Sequence, residues 1–269
     1  MGHIIVSWSP VHGQSASTSN TIAVASTMAL HQPYKSLLTH TQRSYSTLDA
    51  ILGKGETNVF QDSGFTALER LVKSNLLKPD AIADYTETVY KDRLDFLSGS
   101  QRSNTDESYE TILKSILKQA KEKYDFIWID AHSGLHHPLT NEILKQADLI
   151  LVNLPQNRYV LERFFNNTDF PEACKTTPYF ILISQYDSIA GFSLRNIKRQ
   201  FKVKEPMFAI PHSTAFRDAV NQESVLDFFY RTLRASKKDG VYPFVDSLLQ
   251  VNQAILKKLD YTRAEDEWA

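Results

Sequence analysis

Seven short apolar segments, most of them separated by stretches with helical spacing, constrain the fold of this chain most strongly. Each is rich in β-branched or aromatic residues, as buried parallel strands are. They span residues 3–8, 34–39, 93–98, 124–130, 148–154, 179–184 and 207–211. Strands that alternate with helices form right-handed β-α-β crossovers, which give a sheet covered on both faces. The sequence therefore predicts a three-layer α/β/α fold with a mainly parallel sheet of about seven or eight strands.

Two helices are clear from the spacing of their apolar residues. Residues 106–123 and 242–259 each place an apolar stripe along one face. The stripes consist of Tyr109, Ile112, Leu113, Ile116 and Leu117, and of Phe244, Leu248, Val251, Ile255 and Leu259. The pattern over residues 53–92 is weaker, and we expect helices there around residues 64–77 and 79–91.

The composition indicates an ordinary globular protein, with 42% hydrophobic and 23% charged residues. No low-complexity linker or repeat divides the chain, so we expect residues 1–269 to form a single domain. The formal net charge of -1 gives no global attraction to nucleic acid or anionic membranes. Cys174 is the only cysteine, which suits a reducing compartment. No apolar run approaches the roughly 18 residues of a membrane-spanning helix, so we expect a cytoplasmic protein without direct membrane insertion.

Residues 4–25, IIVSWSPVHGQSASTSNTIAVA, have the outline of a phosphate-binding loop between a strand and a helix. Backbone N–H groups and the helix dipole attract phosphate at such a helix terminus. Small residues let the backbone approach a ligand closely, and Ser17 or Thr18 can offer a hydroxyl group to Mg²⁺. The motif G-x-x-x-x-G-K-[ST] itself is not matched. A serine-rich turn that caps a helix is therefore the alternative.

Five segments in one order together resemble the ParA/MinD family of deviant-Walker ATPases, which partition plasmids and position division machinery, flagella and pili. They read SPVHGQSASTSNTIAVA, YDFIWIDAHSGL, QADLILVNLPQN, LISQYD and FAIPHSTAFRDAVNQ, and they cover nearly the whole chain. The resemblance implies a P-loop NTPase-like fold and a site for ATP and Mg²⁺. It also implies a homodimer that works with protein partners.

The loop of that family reads K-G-G-x-G-K-[ST]-T, and both of its lysines are absent here. The alignment places Val11 at the first, signature lysine and Ala16 at the second, Walker lysine. A hydrogen bond to a charged group contributes roughly 1.5–3 kcal/mol, so the loss of two costs about 3–6 kcal/mol, on the order of 10²–10⁴ in affinity. Because phosphoryl transfer depends on positioned positive charge, we do not expect efficient hydrolysis.

The other positions of the loop keep small residues or hydroxyl groups. The same alignment puts His12, Gly13 and Ser15 at the three glycines, and it puts Ser17 and Thr18 at the hydroxyl groups that contact magnesium and phosphate. The implied phosphate-binding residues are Gly13, Gln14, Ser15, Ala16, Ser17 and Thr18.

Three further sites follow from the resemblance. The family's D-x-D motif after the second strand, which orients the attacking water, is replaced by His40 and Gln42. The Walker B aspartate is kept as Asp130, a residual catalytic group that would hold Mg²⁺ together with Ser17. Gly134 matches the glycine whose N–H group meets a γ-phosphate. For Asp130, a helix-cap or turn role is the alternative.

The resemblance also implies a site for the purine base. Gln185 and Asp187 would meet the edge of the base, and residues 211–214, beginning with Pro211, would form its wall. The alternative for these residues is an ordinary solvated loop.

Six of the eight histidines follow predicted strands, so several of them could converge. They are His12, His40, His132, His136, His137 and His212. Protonated histidines bind phosphate and neutral ones hold metals. Their spacing fits no ligand motif, so solvent-exposed loop histidines are the alternative.

The resemblance to the ParA/MinD family also suggests where this chain would contact another subunit, DNA or a membrane. Without the signature lysine, Val11 and His12 can pack directly between subunits. We therefore expect a nucleotide-independent dimer, or a monomer that dimerises through a partner. The basic segments 195–204 and 231–238 could contact DNA phosphates, but the net charge favours ordinary surface cations. The acidic residues at 262–269 argue against a membrane-targeting helix.

The sequence thus predicts a degenerate ParA/MinD-like protein that positions or assembles a larger machine, such as a pilus, secretion or conjugation apparatus. It would hydrolyse ATP weakly or not at all, and a partner would recruit it to a membrane or nucleoid. The alternative is a functional partition ATPase that takes its positive charge from elsewhere, for example from Arg43 or Lys54. A DNA-binding module is a third hypothesis.

Overall fold

The structure is a computed structural model that describes residues 1–42, 46–52, 64–99 and 108–261. Its strands are β1 (His3–Trp8), β2 (Ser36–His40), β3 (Glu87–Tyr90), β4 (Leu94–Leu97), β5 (Phe126–Asp130), β6 (Leu149–Pro155), β7 (Tyr179–Tyr186) and β8 (Met207–Pro211). They form one sheet in the order β3-β4-β2-β5-β1-β6-β7-β8. Among the described strands, only β3 and β4 pair in the antiparallel sense.

Helices cover both faces of this sheet, and the predicted three-layer α/β/α fold is confirmed. They are α1 (Ser17–His31), α2 (Thr47–Ile51), α3 (Gly64–Lys73), α4 (Pro79–Asp84), α5 (Ser108–Lys123), α6 (Pro138–Gln146), α7 (Arg158–Phe165), α8 (Leu194–Phe201), α9 (Thr214–Asn221), α10 (Val225–Thr232) and α11 (Tyr242–Lys258), with a 3₁₀ helix at Glu172–Lys175. The two helices predicted from their apolar stripes are α5 and α11.

All seven predicted strands are present. β1 and β8 have the predicted bounds, and the others agree to within two residues at each end. The apolar runs identify them because a strand inside a parallel sheet is buried on both faces.

The prediction of a helix over residues 79–91 is wrong for its second half. α4 ends at Asp84, and the chain then forms β3, an edge strand that pairs with β4. A tight turn joins these two strands, because Asp92 adopts a φ of 59° and the Arg93 N–H group donates to the Tyr90 carbonyl. The β-branched and aromatic residues at 88–90 favour a strand once β4 offers them a partner.

The helix predicted over residues 64–77 is also shorter than expected. α3 ends at Lys73, and Asn75 follows in the left-handed region with a φ of 56°. The Leu76 N–H group then donates back to the Leu71 carbonyl. A left-handed residue followed by such a bond is a common way to end a helix.

The core is divided between the two faces of the sheet. Alternate residues of a strand point to opposite faces. Accordingly, Ile4 and Val6 of β1 pack with α5 on one face, whereas Ile5 packs with α1 and α11 on the other. Apolar residues predicted for the two stripes are buried in these clusters, including Ile116 of α5 and Leu248 of α11.

The parallel arrangement brings the loops that follow β1, β2, β4, β5, β6, β7 and β8 to one edge of the sheet, which we call the carboxyl edge. Ligands of open parallel sheets bind at such an edge. In the described part of the chain, no helix is both long and apolar enough to cross a bilayer.

We expect Leu151→Ala to lower the free energy of unfolding by about 2–5 kcal/mol, because it leaves a cavity beneath a fully buried side chain of β6. Urea denaturation measures the change. Gln200→Ala, on the exposed face of α8, is the control and should alter stability by less than about 0.5 kcal/mol. Equal midpoints for the two variants would contradict the burial of β6.

Candidate functional site

The loop between β1 and α1 turns at two residues with left-handed backbone conformations. Gly13 has a φ of 71°, and Ala16, the N-cap residue of α1, has a φ of 47°. The Ser9 hydroxyl group fixes the inside of the loop, since it lies 2.6 Å from the Ser15 hydroxyl group and accepts the Val11 N–H group at 3.2 Å. Ser15 is consequently buried and faces the protein interior.

Asp130 lies at the end of β5 directly below this loop, with an exposed fraction of 1%. The Thr18 hydroxyl group donates to its carboxylate at 2.6 Å, and the Ser17 hydroxyl group lies 3.4 Å from the other oxygen. Burial raises the pKa of Asp130 to about 6, although the hydrogen bond from Thr18 opposes this shift. One carboxylate and two hydroxyl groups are oxygen ligands of the kind that Mg²⁺ uses alongside substrate phosphates. These residues fit the predicted magnesium site.

A buried polar network behind the loop was not predicted from the sequence. Asn153 of β6 donates to the Ser7 hydroxyl group at 2.8 Å, and Asn20 of α1 donates at 2.8 Å to both the Asn153 side chain and the Ser184 hydroxyl group. The network therefore joins α1 to β1, β6 and β7. Its signal in the sequence is a polar residue inside an apolar strand, as in LILVNLP, because buried polar groups are retained where they find partners.

Gly134 is positioned by two hydrogen bonds to the end of β1. Its N–H group donates to the Ser9 carbonyl at 2.8 Å, and its own carbonyl accepts from the Trp8 indole at 3.0 Å. The N–H group that was predicted to meet a γ-phosphate is thus already used within the protein. Contact with a phosphate would require this bond to break.

A cavity of about 520 Å³ opens between the ends of β7 and β8. It brings together Gln185, Asp187 and Pro211, the three residues predicted for the base, and His212 and Ser213 continue its wall. The next residue, 214, begins α9. Cavities of roughly 300–1,000 Å³ hold small molecules in proteins, so this one has room for a purine.

Solved structures with this architecture are similar to the whole chain. A ParA family ATPase from Chlorobium tepidum TLS superposes with a TM-score of 0.71 at 11% identity, covering 94% of this chain and 99% of that one. The septum site-determining protein MinD from Pyrococcus horikoshii OT3, complexed with Mg-ADP, gives 0.68 at 16% identity, with 96% and 99% covered. This chain has the ParA/MinD fold.

A plasmid partition protein from Borrelia burgdorferi B31 bound to AMPPNP has the same fold, with a TM-score of 0.66 at 15% identity and coverage of 96% and 100%. No family model matches the chain, and no curated protein sequence matches it significantly. At such low identities the likeness extends to the ParA/MinD fold, and the chemistry depends on the residues of this chain.

His40 and Gln42, which the resemblance places at the D-x-D motif, lie at the end of β2 and just after it, and His40 is buried. Its Nε2 atom lies 3.0 Å from a carboxylate oxygen of Asp49, and its Nδ1 atom accepts the Gln42 N–H group. A methyl group added at Gly99 would lie 2.3 Å from the ring, so this backbone closes over the histidine. The imidazole is held inside the protein, away from solvent.

The loop histidines converge only in part. The rings of His12 and His132 stack with centroids 5.3 Å apart, and His137 lies 5.5 Å from His132. His40 is buried beside Asp49, and His212 lines the cavity instead. Among the described residues no group of three or more histidine, cysteine or acidic side chains can hold a metal ion, which leaves the metal hypothesis without support there.

The carboxyl edge of this ParA/MinD fold is poor in permanent positive charge. Its described loop residues contain no lysine or arginine; they are residues 9–16, 41–42, 98–99, 131–137, 156–157, 187–193 and 212–213. Arg158 follows at the start of α7 but pairs with Glu162 at 2.6 Å. Arg43 and Lys54, the suggested substitutes, lie outside the described residues.

The two basic segments differ in their pairing. In 231–238, Arg231 approaches Asp227 to 3.8 Å. In 195–204, no side chain has a carboxylate partner among the described residues. The exposed basic side chains of segment 195–204 lie on α8 and on the residues that follow it. The acidic residues at 262–269, which argued against a membrane helix, lie outside the described part of the chain.

We expect Asp130→Asn to stabilise the protein at pH 7 and to have little effect at pH 4. The folded-state pKa of about 6 exceeds the ordinary value of 3.8, so the wild-type protein loses stability as pH rises from about 4 to 6. That loss of stability amounts to about 3 kcal/mol. Asparagine does not ionise, so the variant avoids the loss, and its side-chain oxygen still accepts a hydrogen bond.

Urea denaturation between pH 4 and pH 8 measures this dependence. Asp218→Asn, on the exposed face of α9, is the matched control and should leave the pH profile unchanged. A variant at position 130 that is less stable than the wild type at pH 7 would show that the charged carboxylate is stabilised rather than desolvated.

Proposed function

We propose that this chain is a degenerate ParA/MinD-like protein, a positioning or assembly factor that binds ATP and Mg²⁺ weakly and hydrolyses ATP slowly or not at all. One observation carries the proposal. A base-sized cavity and the Thr18–Asp130 pair are present at a carboxyl edge whose described loops lack lysine and arginine. Features that bind a nucleotide are retained, whereas those that drive its hydrolysis are not.

The proposed nucleotide would lie along the carboxyl edge, with its phosphates at residues 13–18 and its base against Gln185, Asp187 and Pro211. Ser17 and Asp130 would hold Mg²⁺, which neutralises phosphate charge when bound. The network from Asn20 to Ser184 supports this arrangement, because it connects the first turn of α1 to the strand that leads into the cavity.

Three features argue against efficient hydrolysis. The two missing lysines remove positive charge that phosphoryl transfer requires. The place of the water-orienting carboxylate holds His40, which is enclosed beside Asp49. The Gly134 N–H group is occupied by the Ser9 carbonyl. A ParA/MinD-like site of micromolar affinity would weaken to about millimolar on loss of both lysines.

A protein that binds without turnover acts through its partners, and we extend the proposal to these. The partner would be a component of a pilus, secretion or conjugation apparatus, and it would recruit this single-domain, cytoplasmic protein to a membrane or nucleoid. A solved complex of similar fold from Aquifex aeolicus joins MinD to MinC, a protein partner. The net charge of -1 disfavours DNA as the principal partner.

We also propose a homodimer that does not require nucleotide. His12 is exposed at the tip of the loop, whereas Val11 is half-buried and packs against the core of its own subunit. A contact through this loop would therefore use His12 more than Val11. No lysine has to reach a nucleotide across that contact, so ATP is not needed to form it.

We expect the wild-type protein to bind ATP with magnesium at about millimolar affinity and to release phosphate no faster than Thr18→Ala, which removes the hydroxyl group that donates to Asp130. Calorimetry and a phosphate-release assay provide the two measurements. Turnover that Thr18→Ala abolishes would instead support the alternative, a functional partition ATPase, and Arg43→Ala and Lys54→Ala would then identify its cation.

Sedimentation velocity should give the same oligomeric state with and without ATP and magnesium. If the protein forms a dimer, His12→Glu should weaken it, because two carboxylates would face each other across a symmetric contact. The control is Gln14→Glu, which adds the same charge on the same exposed loop. A dimer that forms only with ATP would contradict the proposal.

A further inference from the structure

The backbone conformation of the loop between β1 and α1 indicates which of its residues correspond to the glycines of the family's loop motif. Positive φ values suit glycine, and apart from Asn and Asp other residues adopt them at a cost in free energy. Two residues of the loop have them, Gly13 at 71° and Ala16 at 47°. Ala16 therefore occupies a position whose backbone conformation suits glycine, although its side chain hides this from the sequence.

The motif K-G-G-x-G-K-[ST]-T has glycines at its second, third and fifth places. The alignment of the sequence alone puts Ala16 on the second lysine and Ser15 on the last glycine. Ser15 is not among the described residues with positive φ, and its side chain is buried against Ser9. Moving the motif one residue towards the C-terminus puts Ala16 on the last glycine and leaves Gly13 on a glycine.

The distances to Asp130 independently support the same move. In the motif, the hydroxyl group that contacts magnesium directly follows the second lysine. The sequence alignment gives this place to Ser17, whose hydroxyl group lies 3.4 Å from the carboxylate, whereas the moved alignment gives it to Thr18, at 2.6 Å. The closer hydroxyl group belongs to the residue that the moved alignment selects.

The exposure of the loop residues agrees as well. The sequence alignment places Val11 at the signature lysine, but Val11 packs against the core. The moved alignment places His12 there, and His12 is exposed and stacks on His132. A side chain that meets a ligand or another subunit must point outwards, as His12 does.

We propose that the phosphate-loop motif aligns with this chain one residue closer to the C-terminus than the sequence alone suggests. His12 then stands at the signature lysine, Ser17 at the Walker lysine and Thr18 at the magnesium-binding hydroxyl group. This inference rests on the proposed function, since it assigns the phosphate-facing positions of the same nucleotide site. Its ligand is the polyphosphate of a nucleoside triphosphate. His12 and Ser17 then offer phosphates an imidazole and a hydroxyl group where two ammonium groups would stand.

Restoring the lysines in either register tests the inference. In the full-length chain, His12→Lys combined with Ser17→Lys should tighten the binding of ATP with magnesium by on the order of 10²-fold, because each regained ammonium group adds a charged hydrogen bond. Val11→Lys combined with Ala16→Lys should not tighten it. Fluorescence titration with a labelled ATP analogue measures both, and circular dichroism confirms that both variants fold.

A glycine substitution tests the register without any nucleotide. Ala16→Gly should raise the midpoint of urea denaturation, because glycine adopts a positive φ without strain. Ala254→Gly, at a half-buried position inside α11, should lower it, as glycine does within helices. This comparison remains informative if a lysine variant fails to fold.

Tighter binding in the Val11 and Ala16 double variant, or no gain in either double variant, would overturn the assignment of His12 and Ser17. A loss of stability in Ala16→Gly equal to that in Ala254→Gly would overturn the conformational basis. The proposed function would fail on a different result, namely fast ATP hydrolysis by the wild-type protein. The two failures can therefore be distinguished.

Discussion

The hydrogen bond from Thr18 to the buried carboxylate of Asp130 is the contact on which the geometry of the carboxyl edge depends. It ties the first turn of α1 to the end of β5, a strand paired on both sides within the sheet. Removing a carboxyl group from water is costly, and the hydroxyl groups of α1 offset only part of that cost, since the pKa of Asp130 stays raised. The start of α1, and with it the conformation of the preceding loop, is therefore fixed by the core of the sheet.

Around that contact, the described loops of the carboxyl edge contain no lysine or arginine. The N-terminal N–H groups of α1 and the turn at Gly13 do not depend on lysine side chains. Elsewhere on the edge, backbone groups bond within the protein, as the Gly134 N–H group does with the Ser9 carbonyl. His40 beside Asp49 is an internal pair of the same kind.

The buried amides connect separate elements of this edge. Asn153 and Asn20 connect α1 with strands that are far apart in the sequence, and each partner would leave an unsatisfied group if the other were removed. The same network links the loop region to the cavity between β7 and β8.

The pattern of amino acids was enough to predict the layers of this protein and the strands around the site, because apolar runs in a parallel sheet have few alternatives. It also located Asp130, Gln185, Asp187 and Pro211 at the carboxyl edge, since each follows or ends such a run. The absence of lysine from residues 11–18 was equally visible.

The folded chain was needed to see which residues of the loop turn and which point inwards. Alanine carries no mark of the positive φ of Ala16 in the sequence, and Thr18 finds its partner Asp130 more than a hundred residues away. β3 likewise became a strand because β4 offered hydrogen-bond partners that local propensity does not include. Long-range hydrogen bonds stabilise one of the several conformations that a short segment can adopt. The alignment of the motif with the loop therefore had to be taken from the folded chain.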